Sequence, residues 1–343
     1  MKIHEPTNTI ESLIYAAYEA DQEAPRPHMG ASQLGHPCDR WLWLQFRHAV
    51  IERHNCRMLL LFKRGHEEET RIIQHLRRIG AHVSHTGSSQ VGFDFGSHVK
   101  GSCDGIVEGL PHAKKTKAIL ECKTHSDKSF NEVKAKGVKE AKPMHWVQCC
   151  VYGYGANLDR ALYFAVNKNT DEIYTEWLYL DKEVAEKAIA RGQRLALSDR
   201  MPPPLSTDPS WYQCKFCAAH EFCHSTLTTK HVNCRTCAHS TAKDDSTWRC
   251  ERHQADGIPV EFQRQACDSH VIHPDLVPWQ LVEMESLDDW TAVYLVDGKP
   301  VANGEPRPGV FTSRELLANP QACASGDSFV ADMRASFGGR VVG

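Results

Sequence analysis

The sequence predicts a mixed α/β sandwich followed by a cysteine-rich segment, and three observations predict it. Apolar residues at 58, 59, 62, 72, 73, 76 and 79 recur at helical spacing. Short strand-like runs and further helical segments then alternate up to about residue 197, the pattern of a sheet covered by helices. Past the MPPPL stretch at 201–205 the periodicity stops, and cysteines crowd the chain from Cys214 to Cys267.

The first helix is expected over 57–80, with a break near Gly65 and a stop at Gly80. Strands are expected at 90–95, 99–108 and 117–124, forming a three-stranded meander. Helices at 129–139 and 143–155, strands at 161–167 and 173–180, and a helix at 182–197 complete the block. The cysteine-rich part has too little periodicity to fold without metal. Near the carboxyl end, WTAVYLVDGKPVANG reads as a hairpin turning at Asp297-Gly298, and the last residues read as loosely ordered. The expected domains are 1–225, 226–275 and a small α/β or β extension at 276–343.

No apolar run approaches the roughly 20 residues that span a bilayer. The amino terminus lacks a continuous apolar signal core, so a cytoplasmic protein with no membrane partner is expected. The 40 Lys and Arg against 43 Asp and Glu give no global charge signal for nucleic acid. Between Ala113 and Lys142, however, nine lysines face four acids, a cluster that either grips phosphates or forms a solvated helix face. Fourteen cysteines without a secretion signal point to metal more than to disulfides.

Asp104 lies in GSCDGIV, and Glu121-Cys122-Lys123 ends the run AILECK. Residues two apart on a strand share a face, so Glu121 and Lys123 point together while Cys122 points away. Two carboxylates and a nearby backbone carbonyl, that of Cys122, supply the hard oxygen donors that Mg²⁺ or Mn²⁺ takes, and a lysine beside them stabilises charge at a phosphate. Gln148 and Tyr152 are four apart, on one face of the helix expected there.

These residues resemble the PD-(D/E)XK nucleases, and within them the RecB-like branch: GHEEE at 65–69, Asp104, Glu121-x-Lys123 and Gln148-x-x-x-Tyr152 stand in the family's order. Cys103 takes the place of the motif's proline. The resemblance implies a restriction-endonuclease-like core, a mixed central sheet flanked by helices. It also implies hydrolysis of DNA from single-stranded or duplex ends in recombination, repair or phage replication, in a bacterial cell or a phage-infected host. His66 is the implied metal ligand from the upstream helix, with Glu69 supporting it. A helicase or recombination protein would be a separate partner, since no G-x-x-x-x-G-K-[ST] loop occurs. The competing readings are a DNA-binding accessory module with slow or absent hydrolysis, and cleavage of RNA.

Cys214, Cys217 and Cys223, with Cys38 far upstream, supply the four thiolates that zinc or an iron-sulfur cluster requires. One cysteine upstream and three downstream resembles the iron-sulfur staple of AddB-type nucleases and of the RecB-like nucleases of CRISPR adaptation, which implies a 4Fe-4S cluster tying the ends of the nuclease domain together. Cys234, Cys237, Cys250 and Cys267 lie outside the resembled region and suggest structural zinc, with His231, His239, His253 and His270 near enough to substitute. Cys56, Cys103, Cys122, Cys149, Cys150 and Cys323 read as small apolar side chains. Arg40, Trp41 and Trp43 after Cys38, and Trp211-Tyr212 before Cys214, read either as packing or as a clamp for single-stranded DNA.

Overall fold

The computed structural model describes residues 9–284 and 290–342. The chain divides into two units, Met1–His36 with Glu52–Gly192 and Pro37–Ile51 with Gln193–Gly343. The expected boundaries near 225 and 275 both fall inside the second of these.

In chain order the first elements are α1 (Ile10–Ala20), β1 (Met29–Gly30), α2 (Asp39–Phe46) on the segment belonging to the second unit, and α3 (Cys56–Arg78). Asn55 caps α3, its side chain accepting the Met58 N–H, and the helix runs unbroken through Gly65. A Cβ at Gly65 would meet nothing within 4 Å, so the glycine marks no bend or close contact. Then come β2 (His82–Ser84), β3 (Gly92–Asp94), β4 (Val99–Ser102), β5 (Gly105–Leu110) and β6 (Ala113–His125).

The expected strand over 99–108 is therefore two strands. β4 pairs with β1 and β3 in a small sheet, whereas β5 pairs with β2 and β6 in the principal one, and the chain changes sheet at Cys103-Asp104. The expected meander is corrected accordingly to two antiparallel hairpins in two sheets. α4 (Asp127–Lys136) and α5 (Val138–Ala141) are separated by Gly137 at φ 76°, and α6 (Pro143–Ala156) follows. β7 (Arg160–Asn167), β8 (Ile173–Tyr179) and α7 (Lys182–Leu197) close the block.

The principal sheet has the order β2-β5-β6-β7-β8, antiparallel except for the parallel β6–β7 pair. One face, carrying Ala118, Leu120, Cys122, Leu162, Phe164 and Val166, packs on Ile72, Ile73 and Leu76 of α3. The opposite face meets α4 and α6. The first unit is a mixed α/β layer structure, as its sequence predicts.

The second unit contains β9 (Ser240–Ala242), β10 (Trp248–Cys250), α8 (Val260–Gln263), β11 (Gln280–Met284), β12 (Ala292–Val296), β13 (Lys299–Asn303), β14 (Val310–Phe311), α9 (Ser313–Ala318), α10 (Pro320–Ala324) and α11 (Ser328–Phe337). The β12–β13 hairpin turns at Asp297-Gly298, both at positive φ (50° and 77°), the signature of the primed turn expected there. α11 ends at Phe337 and residues 338–342 form no regular element, while Arg334 of α11 pairs with the buried Glu315. Trp43, Leu44, Phe222, Ile272, Leu276, Tyr294 and Leu316 share one core across the regions expected to be separate modules. Among the described residues no helix is long and apolar enough to cross a membrane.

Candidate active site

β6 and β7 run parallel with Glu121 opposite Tyr163 and Lys123 opposite Ala165. Alternation then places Glu121, Lys123 and His125 on the face covered by α4 and α6, while Cys122 packs among apolar side chains on the other. Asp104, at the crossing between the two sheets, accepts the Cys122 backbone N–H at 2.7 Å through Oδ2. Its flanking glycines make the crossing feasible. A Cβ at Gly101 would lie 2.6 Å from the Ala31 Cβ and 3.0 Å from Cε1 of Tyr152, and one at Gly105 would lie 3.1 Å from the Ser84 carbonyl oxygen.

Glu121 is 0% exposed; the Lys123 ammonium lies against Oε1 as an ion pair, and Oε2 has no hydrogen-bond partner. Burial pushes the Glu121 carboxyl up to about 7; Lys123 opposes this, and Asp104 and Glu69 add to it. For Lys123 burial acts downward, but the charges of Glu121 and Asp104 outweigh it and hold the ammonium well above its ordinary range. Glu69 on α3 is also raised, by burial and then by Asp104, with His66 pulling the other way. The Gln90 amide donates to Oε1 of Glu69 at 3.3 Å.

On α6, Gln148 and Tyr152 are buried, and the Gln148 amide donates to the Tyr152 hydroxyl at 3.4 Å. Tyr152 is raised first by burial and then by Glu121. The structure thus brings together Asp104, Glu121, Lys123, Gln148 and Tyr152, with Glu69 at the edge of the acid cluster. His66 is exposed on α3, and its charge acts on Glu69.

Three residues of this face were not singled out in the sequence. His125 Nε2 and His145 Nδ1 each lie 2.8 Å from the Tyr163 hydroxyl, and His125 Nδ1 lies 3.0 Å from Ser129 Oγ. Burial depresses the two imidazoles, His125 to about 4 and His145 to about 3, so both are neutral at pH 7. Two signals were present: His125 continues the 121, 123, 125 alternation, and His145 precedes Gln148 by three. Within the lysine cluster, Lys134 pairs with Glu172, Lys136 and Lys142 with Glu132, and Lys139 lies over the Trp146 ring.

The cysteines of both predicted metal sets lie in the second unit, which includes the segment bearing Cys38. Cys217 is pushed up to about 11, first by burial and further by Cys223, Cys38 and Cys214, against the Ala219 N–H that donates to its sulfur at 3.4 Å. Cys38 accepts the Trp41 N–H at 3.4 Å. Trp43 is a packing residue: it is fully buried, and its Nε1 donates to the Ser198 carbonyl. Trp211, Tyr212 and Phe216 are exposed beside these thiols. Among the described residues, no three His, Cys, Asp or Glu side chains are drawn closely enough to cage a metal ion.

No protein-family profile matches the chain, and no curated protein matches it. Three solved structures are similar to it at 14% identity. SSO0001 is similar over 63% of this chain and 96% of its own, with a TM-score of 0.38. The alkaline exonuclease LHK-Exo of Laribacter hongkongensis, and the same enzyme in complex with dAMP, are similar over 54% of this chain and 90% of theirs, with TM-scores of 0.35 and 0.36. A likeness this distant carries no argument about this chain's activity.

Proposed function

We propose that the first unit is a metal-dependent deoxyribonuclease of the PD-(D/E)XK kind that hydrolyses DNA from its ends. The observation that carries this reading is the Glu121 carboxylate, wholly buried beside Asp104, with Lys123 paired to Oε1 and no hydrogen-bond partner at Oε2. Burying an ionised acid costs several kcal/mol unless a cation or proton satisfies it. Lys123 meets part of that need; a divalent cation would meet the rest.

The donor set fits such an ion. Asp104, Glu121 and the Cys122 carbonyl offer oxygen alone, and Mg²⁺ commonly binds through one or two carboxylates while keeping several waters, so a third side chain is not required. Glu69 or His66 would extend the shell. When bound, Mg²⁺ or Mn²⁺ supplies charge neutralisation and a more acidic water. Lys123 orients the attacking water and offsets charge that develops on the phosphate oxygens. Gln148 and Tyr152 line the same face and bound the space left to the scissile strand. By the sequence resemblance, Cys38, Cys214, Cys217 and Cys223 are the residues that would hold a 4Fe-4S cluster; all four donors are sulfur, and Cys38 and Cys217 accept backbone N–H bonds.

The test is cleavage of end-labelled single-stranded and duplex DNA by the purified chain with Mn²⁺ or EDTA, beside Asp104→Ala. The wild type is expected to shorten DNA only with metal, and the variant to be slower by roughly a hundredfold to a thousandfold, about 3–4 kcal/mol of barrier. Equal behaviour of the two proteins would refute the reading.

A further inference from the structure

The amino-terminal half of α3 has no part in the hydrolysis described above. Ile72, Ile73 and Leu76 bury one face of this helix on the principal sheet, and Glu69 of the same face stands at the edge of the acid cluster. Helical spacing continues that face through Gly65, Phe62 and Met58 toward the start of the helix. There it stays apolar but opens to solvent: Phe62 is 44% exposed and Met58 39%.

The Phe62 ring meets the His54 ring edge to face, with centroids 4.9 Å apart and planes at 89°. His54 is fixed in turn, because its N–H donates to Oε1 of Gln22 at 2.9 Å, while Glu19 of α1 accepts the Cys56 N–H at 2.8 Å. α1 thus braces the start of α3 and leaves Phe62 exposed. Between Phe62 and Glu69 lies an opening at Gly65, where a Cβ would meet nothing within 4 Å. A glycine inside a helix weakens it, and neither a close contact nor a positive φ calls for one here; what it provides is room.

The charge around this face has one sign. From Arg53 to His66 the chain carries Arg53, Arg57, Lys63 and Arg64, two histidines and no acid, with Glu52 and Glu67 at the two ends. Among the described residues none of these four cations is ion-paired: Lys63 donates to the Tyr18 hydroxyl at 3.1 Å and Arg64 to the Lys168 carbonyl at 2.6 Å. An open aromatic ring among unpaired cations suits a strand whose bases stack and whose phosphates are attracted, more than it suits an apolar protein surface.

We propose, resting on the nuclease reading for the occupant, that this half of α3 is a stacking platform for a single-stranded DNA end. A base near the scissile phosphate stacks on Phe62, the backbone passes over Gly65 toward Glu69, and Arg57, Lys63 and Arg64 attract the neighbouring phosphates. Phe62 and Glu69 are two turns apart, about 10 Å along the axis, so the seated base belongs to a nucleotide close to the one being cut. Bases inside a duplex offer no free face to the ring, and the platform therefore selects unpaired ends.

The test is binding of a fluorescein-labelled oligothymidylate and of a blunt duplex to the full chain, followed by anisotropy in EDTA, for wild type, Phe62→Ala, Phe62→Tyr and Gly65→Leu. Phe62→Ala is expected to bind oligothymidylate roughly tenfold more weakly, Phe62→Tyr like wild type, and Gly65→Leu several-fold more weakly because its side chain fills the opening. Duplex affinity is expected to stay within about twofold throughout, since no base is stacked there. Equal affinity of wild type and Phe62→Ala for oligothymidylate overturns the proposal, and so does an equal loss for the duplex. Should Phe62→Ala not fold, Gly65→Leu decides alone, leucine being the better helix former. A change in self-association by sedimentation, with DNA affinity unaltered, assigns the face to a second copy of the chain and overturns the proposal as well. Binding in EDTA needs no hydrolysis: a chain that binds through Phe62 yet never cuts refutes the nuclease reading alone, whereas one that cuts with metal yet ignores the ring refutes only the platform.

Discussion

The acid site of the first unit is built around a wholly buried carboxylate and the cysteine sets of the second are mostly half-buried, and the two stand in opposite relations to their folds. Glu121, Lys123 and Asp104 are carried by a sheet whose opposite face has its own apolar packing against α3, so the sheet has little need of them. The second unit has less regular structure around its charges. Its core includes Arg47, packed on the Trp43 and Trp248 rings, and Arg235, packed on Trp248 and Phe46. A site laid over a self-sufficient sheet can lose its chemistry and remain folded, whereas a unit held by polar ties cannot.

The largest effect that would sharpen this comparison comes from acid. Burial depresses His125 in the first unit and His270 in the second to about 4. The unfolded chain protonates near 6.5 while the folded one does not, so stability present above that pH is lost as pH falls from 6.5 toward 4, on the order of 3 kcal/mol per histidine. Amide exchange followed from pH 7 to 4 should show both units loosening in that window, and a flat profile would contradict the burial. His125→Gln should weaken the first unit's response, leaving the part that His145 contributes, and leave the second unit's unchanged.

Glu121→Gln separates chemistry from folding. The acid's folded value of about 7 lies above its ordinary 4.5, so ionisation costs stability as pH rises through this interval. With EDTA at pH 8 the variant should melt higher than wild type, by roughly 2 kcal/mol, while losing nuclease activity. A lower melting temperature would mean that the sheet does depend on this acid. Gly101→Ala acts through the crossing: its new methyl meets Ala31 and Tyr152, and a destabilisation of about 1–2 kcal/mol by thermal melting is expected together with slower cleavage. The smallest effect belongs to Tyr163→Phe, which removes the hydroxyl shared by His125 and His145. A loss of about 1 kcal/mol, several-fold in rate with DNA affinity unchanged, is expected, and rates equal to wild type would deny the trio any part in positioning.

Most of the first unit was legible because its period is strong. The helix at 182–197 has the bounds expected of it, and β7 begins one residue early. The expected break at Gly65 reflects a backbone preference of about 1 kcal/mol, which capping by Asn55 and the burial of Ile72, Ile73 and Leu76 outweigh. The split at Cys103-Asp104 was not legible, because two short strands in separate sheets share one uninterrupted alternation. β2 is too short to show a period. The Thr312-Ser-Arg-Glu315 capping box announces α9 and was passed over in the region read only as a small α/β or β extension. At the site, Glu121 and Lys123 follow from alternation alone, whereas Tyr163 is brought opposite Glu121 by a long-range strand register that no local pattern encodes.

Cys38 lies on a segment that leaves the first unit after His36, joins the second, and returns at Glu52. In the proposed cluster this thiol would emerge long before Cys214, Cys217 and Cys223, and would have to stay reduced while the whole intervening sheet is made. Under that proposal, a ribosome halted within β7 or β8 would hold a first unit nearly complete while three of the cluster's four ligands were still unmade.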